Sequence, residues 1–144
     1  EIHERLVGSE MCIRDRYCAG QIKYLTAIKE LKDKGGRIRC VNISNLLGVS
    51  RPSVSKMLRC LADSGLVYEG FCNSVELTEK GRAVVEEIYS EYNEIYIFFK
   101  RILRLPDSEA KEQTLLFINT FPKSTGERLS EVVKKSLNKK NNKE

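Results

Sequence analysis

VNISNLLGVSRPSVSKMLRCLADSGLVYEGFCNSVELT, residues 41–78, decides how this chain folds. Ile43, Leu46 and Leu47 give a short helix its apolar face, and Gly48 ends it, since glycine enters the left-handed region without a steric cost. Ser50 is positioned to cap the next helix by accepting a bond from a first-turn amide, and Pro52 fits that first turn, where its missing donor costs nothing. Val54, Met57, Leu58 and Leu61 then recur at helical spacing and point inward. The opposite face holds Pro52, Ser55, Lys56 and Arg59, with Arg51 and Ser53 at its start. It is short, polar and basic, the character a helix needs to enter a major groove. After Gly65, Leu66–Glu69 and Ser74–Leu77 read as two strands joined by a turn over Gly70–Asn73, and Thr78-Glu79-Lys80-Gly81 opens another helix. The order is that of a winged helix-turn-helix domain.

The same residues carry a family resemblance. GVSRPSVSKMLRCLADSGLVYEG (48–70) followed by VELTEKGRAV (75–84) resembles the N-terminal domain of the DtxR/MntR group, the iron- and manganese-dependent transcriptional repressors. The likeness runs from about Tyr24 to Leu129, strong over the winged helix and weak after Leu103. MarR-type regulators share the LTEKG turn.

Around this centre the chain divides into four segments. Residues 6–16, LVGSEMCIRDR, resemble a translated sequencing-adaptor tail of the kind found at the ends of environmental gene assemblies, so 1–16 is expected to be a non-native or disordered leader. The single histidine, His3, falls within it. Tyr17–Asp33 reads as the first helix, with Ile22, Leu25, Ile28 and Leu31 as its stripe and Tyr24 alongside. Gly35-Gly36 stops it, and Arg37–Val41 reads as an extended stretch beside the wing, with Arg37 and Arg39 facing out together. The DNA-binding domain is thus expected over 17–80.

Glu79 to about Arg104 reads as one long helix, whose wide face (Val84, Val85, Ile88, Tyr92, Ile95, Phe98, Phe99, Ile102) exceeds what one small domain buries. Pro106 and Pro122 bound a second helix, and Thr125–Leu137 forms the last. The expected architecture is mainly α: three helices and a two-stranded wing, then an α-helical dimerisation domain over 81–137 and a disordered basic tail over 138–144. Two-fold symmetry would present one Val54–Ala62 helix to each half of an inverted repeat.

The candidate DNA-binding residues are Arg51, Pro52, Ser53, Ser55, Lys56, Arg59 and Asn73: arginine grips guanine edges with two bonds, while lysine and serine suit phosphates. The wing turn Gly70-Phe71-Cys72-Asn73 carries no Lys or Arg, leaving Phe71 and Asn73 to approach the backbone. A net charge of +5 fits a polyanionic partner.

The resemblance also implies metal ligands, and the matching positions do not supply them. The family uses an acidic or Met residue just before the first-helix tyrosine and a Glu soon after, a histidine on the long helix, and Cys or Glu followed by Glu-His on the next. Those positions hold Lys23, Thr26, Tyr92, Leu115, Ile118 and Asn119. Iron and manganese want carboxylate and imidazole, so no metal cofactor is expected. Glu87, Glu91 and Glu94 share a face of the long helix and read as a solvated acidic stripe, with a hard-cation site the alternative.

The five cysteines show no CxxC pair and no zinc spacing. Cys60 on the recognition helix and Cys72 in the wing are the thiols whose oxidation would touch DNA binding, while Cys18 and Cys40 read as core residues. No apolar run is long enough to span a bilayer and no secretory signal is apparent, so a cytoplasmic location is expected. Nothing resembles a nucleophile elbow, a phosphate loop or a paired-carboxylate site, so an enzyme is not expected. The resemblance implies a homodimeric repressor that has lost metal control. The alternatives are a MarR-like regulator gated by a small molecule or by thiol oxidation, and a winged helix serving as a protein-interaction module.

Overall fold

A computed structural model of the chain describes residues 16–142, with side chains to 139. The expected leader, with His3 and Cys12, lies outside the described residues apart from Arg16. Cys18–Tyr89 forms one compact unit, and Ser90 onward belongs to a second.

In the first unit, α1 (Ala19–Lys34) begins where the Cys18 amide donates to Gln21 Oε1 at 3.0 Å and ends at Gly35, φ 85°. Its stripe is as expected: Ile22, Leu25 and Ile28 are fully buried and Leu31 half-buried. The α2 helix (Cys40–Leu47) buries Ile43 and closes at Gly48, which sits at φ 66° and donates to the Ser44 carbonyl at 2.9 Å. Ser44 Oγ fastens the turn by donating to the Val49 carbonyl at 2.5 Å. The α3 helix (Arg51–Asp63) is capped by Ser50, whose Oγ accepts from the Ser53 amide at 3.3 Å. Val54, Leu58 and Leu61 are wholly buried, each contributing roughly 1.5–3 kcal/mol of hydrophobic stabilisation. Its end is a Schellman motif: Leu66 N–H bonds the Leu61 carbonyl and Gly65 N–H the Ala62 carbonyl, both at 2.9 Å, with Gly65 at φ 76°. Leu66 and Leu61 supply the apolar contact that usually accompanies it.

The wing differs from expectation. The two four-residue strands contract to a single antiparallel bridge, Val67 with Leu77, flanked by Tyr68 N–H to the Glu76 carbonyl and Thr78 N–H to the Leu66 carbonyl, each 3.0 Å. No further strand forms among the described residues. The cause is a divided bonding pattern. Val75 N–H turns the other way, to the Ile38 carbonyl at 2.8 Å, so the 74–77 segment shares few bonds between two neighbours. Val67, Val75 and Leu77 stay buried, and the turn lies over 70–73 as expected. The stretch around Ile38 does lie beside the wing.

The next helix, α4 (Glu79–Ile97), starts on a dense knot. Thr78 Oγ1 donates to the Gly65 carbonyl at 2.6 Å and accepts from Gly81 N–H at 2.9 Å, and Lys80 Nζ reaches the Ser64 carbonyl at 3.1 Å. Gly81 is buried so tightly that a Cβ there would lie 1.9 Å from the Leu66 carbonyl oxygen. This packing explains the LTEKG sequence: Leu77 enters the core, Thr78 caps and ties, and Gly81 permits contact. Val84, Val85 and Ile88 continue the same core. The first unit therefore reaches Tyr89, past the expected boundary at 80.

In the second unit, the long helix does not run as α-helix to Arg104. It changes to a π-turn over Phe98–Ile102, after which Arg104 takes φ 56° and Leu105 N–H returns to the Phe99 carbonyl at 3.0 Å. Phe98, Phe99 and Ile102 are spaced as on an α-helix, so the sequence pattern gives no sign of the change. The α5 helix (Asp107–Thr120) carries Asp107 and Glu109 in its first turn, where the helix dipole favours anions, and buries Ala110, Thr114 and Ile118. Phe99, Phe117 and Phe121 form a chain of ring contacts at 6.4 and 4.7 Å. The last helix, α6 (Lys123–Asn142), places Gly126, Ser130 and Val133 on one buried face. It continues to Asn142, so the expected disordered tail from 138 is helical where it is described.

Candidate nucleic-acid interface

Six of the expected DNA-binding residues lie on α3, and Asn73 lies in the turn over 70–73. Arg51, Pro52, Ser53, Lys56 and Arg59 are exposed, Ser55 is half-buried, and Asn73 is exposed in the wing turn. Pro52, Ser55, Lys56 and Arg59 recur at helical spacing on the side away from Val54, Leu58 and Leu61. None of Arg51, Lys56 and Arg59 forms an ion pair among the described residues. The only acid in α3 is Asp63, its last residue, so cation and dipole act in the same direction at the helix start. Ser53 also belongs to the cap, its Oγ lying 2.9 Å from Ser50 Oγ.

Arg37 and Arg39 are both exposed. Arg39 caps α2, its amide donating to Asn42 Oδ1 at 2.9 Å. Arg37 instead lines a groove of about 510 Å³ with Lys32, Tyr68, Glu76 and Arg82, over buried Ile28 and Ile38. Lys32, Arg37 and Arg82 also form no ion pair among the described residues. Sequence reading did not find this cluster. Its cations come from a helix, a connecting stretch and a second helix, and no local pattern links them.

The cysteines also differ from expectation. Cys18 is exposed and Cys40 half-buried, so neither is a core residue. Both stand at helix starts, where the chain emerges from the packed layer. Cys40 Sγ lies 3.9 Å from the Phe71 carbonyl of the wing turn. Burial and the neighbouring Cys72 sulfur push the Cys40 thiol up from its ordinary range, with Arg51 acting weakly in the opposite sense.

The positions that the resemblance matches to metal ligands do not fit iron or manganese. Lys23 is an exposed cation, and Thr26 is buried with its hydroxyl turned onto the Lys23 carbonyl at 2.8 Å. Tyr92 is buried and stacks on Tyr96 at 6.1 Å, while Ile118 is an apolar core residue. Leu115 is half-buried and apolar. Asn119 Oδ1 is the one buried side-chain oxygen or nitrogen without a hydrogen bond among the described residues, and a single neutral amide is a poor ligand set. The acidic stripe is used structurally at Glu94, which accepts from Ser130 Oγ and pairs with Lys134 at 3.6 Å. Glu91 is half-buried and Glu87 exposed. No group of three or more His, Cys, Asp or Glu side chains gathers among the described residues.

Residues 22–70 match the family described as iron dependent repressor, N-terminal DNA binding domain. The match begins in α1 and ends in the wing, so it contains six of the seven expected DNA-binding residues, Asn73 lying just beyond. No curated protein matches the chain. Among solved structures, the manganese regulator SloR is similar at 26% identity and a TM-score of 0.67, over 79% of this chain and 53% of that one. The metal-dependent transcriptional regulator MtsR gives 22% identity and 0.68 over the same shares, a likeness of fold. The hypothetical protein SSo2273 from Sulfolobus solfataricus gives 23% and 0.53, over 80% of this chain and 88% of that one. The chain spans about half the length of SloR and MtsR. These two relatives are regulators, and no described helix is long and apolar enough to cross a membrane.

Proposed function

We propose that this chain, which carries a DNA-binding domain of the iron-dependent-repressor kind over residues 22–70, is a homodimeric transcriptional repressor that works without the metal control of its relatives. The observation that carries the reading is the α3 face, where Arg51, Lys56 and Arg59 stand exposed, without an ion pair among the described residues, beside a capped helix start. Such cations release counterions when they meet phosphates. Arg59 lies two turns into the helix, within reach of base edges once the helix start enters the major groove. Arg51, Pro52, Ser53 and Ser55 border the groove walls, and Asn73 approaches the backbone from the wing.

Dimerisation is assigned to the helical unit. Leu103, Leu116, Phe121 and Val132 are 46–65% exposed there, whereas Tyr68 is the only large apolar side chain so exposed among the described residues of the first unit. Four such side chains in this unit, against one in the other, support a contact surface here. The operator would be an inverted repeat read by one α3 per half-site, and the protein would work in the cytoplasm. Metal independence rests on the ligand positions: Lys23 would repel a cation, and the side chains of Tyr92, Leu115 and Ile118 offer none the family uses.

The experiment is selection of bound fragments from a genomic pool, in chelator and in added manganese or iron. The same fragments recovered in all conditions are expected. Recovery only with metal would return the metal site to the chain, with Glu87, Glu91 and Glu94 as the first residues to test.

A second reading draws on the groove beside Arg37. Its volume matches small-molecule sites, and three cations without ion pairs among the described residues favour an anionic ligand. On this reading the regulator is gated by a small organic anion. Recovered DNA would then fall as such an anion is titrated, and Arg82→Ala would remove the response.

A further inference from the structure

Two thiols meet where the wing turn touches the start of α2. Val75 N–H bonds the Ile38 carbonyl at 2.8 Å, which draws the end of the wing turn beside the stretch leading into α2. Two residues further along, Cys40 Sγ lies 3.9 Å from the Phe71 carbonyl. Cys72 follows Phe71 directly, so one peptide unit separates that contact from the second thiol, and a disulfide requires Cα atoms about 4.4–6.8 Å apart. The partners differ in access: Cys72 is exposed and Cys40 half-buried. Cys60, by contrast, is held near Gln21 Nε2 at 3.7 Å.

We propose that Cys40 and Cys72 are an oxidation site that peroxide closes into a disulfide, clasping the wing turn to the first turn of α2. The chemistry balances in two steps. The exposed Cys72 sulfur attacks hydrogen peroxide; an S–O bond forms, the O–O bond breaks, and water leaves, giving a sulfenic acid. The Cys40 thiolate then attacks that sulfur; the S–S bond forms, the S–O bond breaks, and a second water leaves with the Cys40 proton. Two thiols lose two electrons and one peroxide becomes two waters. Burial first, and the neighbouring Cys72 after it, push the Cys40 thiol up, so Cys40 acts second, as the resolving thiol.

The effect on DNA rests on the proposed function. The clasp would join the Asn73 turn to the residue next to the Arg39 cap, so both edges of the α3 face would be held in one arrangement. The test treats the full chain with one equivalent of hydrogen peroxide and maps disulfides by mass spectrometry without reduction. The expected product is an intramolecular Cys40–Cys72 link that a small thiol reverses. Cys40→Ser should leave a Cys72 sulfenic acid trapped by dimedone, with circular dichroism confirming the fold. A dominant link elsewhere, such as Cys18–Cys60 or Cys72 to a second chain, overturns the proposal. DNA binding is read separately on the selected fragments. A loss of at least tenfold on oxidation, absent in Cys72→Ser, supports the clasp as a switch, and unchanged affinity of linked protein overturns that role. Reduced protein that binds no DNA overturns the proposed function while the thiol map stands.

Discussion

Replacing Gly81 by alanine tests the packing on which the first unit depends. The added Cβ would stand 1.9 Å from the Leu66 carbonyl oxygen, 2.9 Å from its carbon and 3.3 Å from its Cα. Non-bonded heavy atoms settle near 3.5 Å, so the Leu66 peptide must withdraw by about 1.5 Å. It cannot do so freely, because the Leu66 carbonyl accepts from Thr78 N–H and the adjacent Gly65 carbonyl accepts from Thr78 Oγ1. Overpacking costs about 1–3 kcal/mol, and each weakened bond adds about 1 kcal/mol. Alanine's better helix propensity returns at most about 1 kcal/mol. The net expectation is a loss of about 2–4 kcal/mol. Gly126 supplies the control, since it is also buried and helical, yet its Cβ would meet Glu91, Ile95 and Phe117 at 3.5–3.8 Å, ordinary contact. Gly126→Ala should therefore stabilise by about 0.5–1 kcal/mol through propensity alone. Urea unfolding followed by circular dichroism reads both, with amide exchange assigning each change to its own unit. Equal or greater stability of Gly81→Ala would refute the close contact between α4 and the wing backbone.

The other predictions concern the DNA face, the caps and one titration. Lys56→Ala should weaken DNA binding and lower the salt slope by about one per protomer, and Arg59→Ala should relax sequence preference at one position per half-site; filter binding across a salt series decides, with gel filtration checking that the dimer survives. Unchanged binding in both variants removes α3 from the interface. Ser50→Ala should cost about 1 kcal/mol by freeing the Ser53 amide, measured as a lower urea midpoint. The hydrogen bond from Tyr96 holds Asp107 below its ordinary 3.8 and raises the Tyr96 hydroxyl above its ordinary 10.0. A lowered carboxyl stabilises above its unfolded value and loses that contribution as pH falls through the folded one. A raised phenol stabilises below its unfolded value and loses the contribution as pH rises through the folded one. Tyr96→Phe should therefore return Asp107 toward 3.8 in a carbon-detected NMR titration, and an unmoved Asp107 would show that Lys111 sets it.

What could be read from sequence was local. Gly48, Ser50 and Gly65 announced their turns because caps and left-handed glycines act within a few residues, and each carries the bond its type implied. The core of α1 and α3 followed from spacing. Three features were less legible. The wing alternates like two strands, but the fate of Val75 N–H depends on Ile38, which lies 37 positions earlier in the chain. The π-turn hides because Phe98, Phe99 and Ile102 keep an almost helical rhythm. The last helix continues through the polar run from Asn138 because nothing after Leu137 breaks it. Within the candidate site, Arg51, Lys56 and Arg59 were visible on one helix, whereas the groove cations and the Cys40–Cys72 approach come from separate elements.

The border between the two units falls inside α4, between Tyr89 and Ser90, not in a loop. A loop forgives insertions, but a helix counts them. Within the first unit, one extra residue between Gly81 and Val84 would turn Val84, Val85 and Ile88 by about 100° around the helix axis and advance them by about 1.5 Å, away from the core they complete. Seven extra residues would restore the phase to within about 20°, yet carry the same side chains about 10 Å along the axis. Descent should therefore leave the stretch from Gly81 to Ile88 free of length changes.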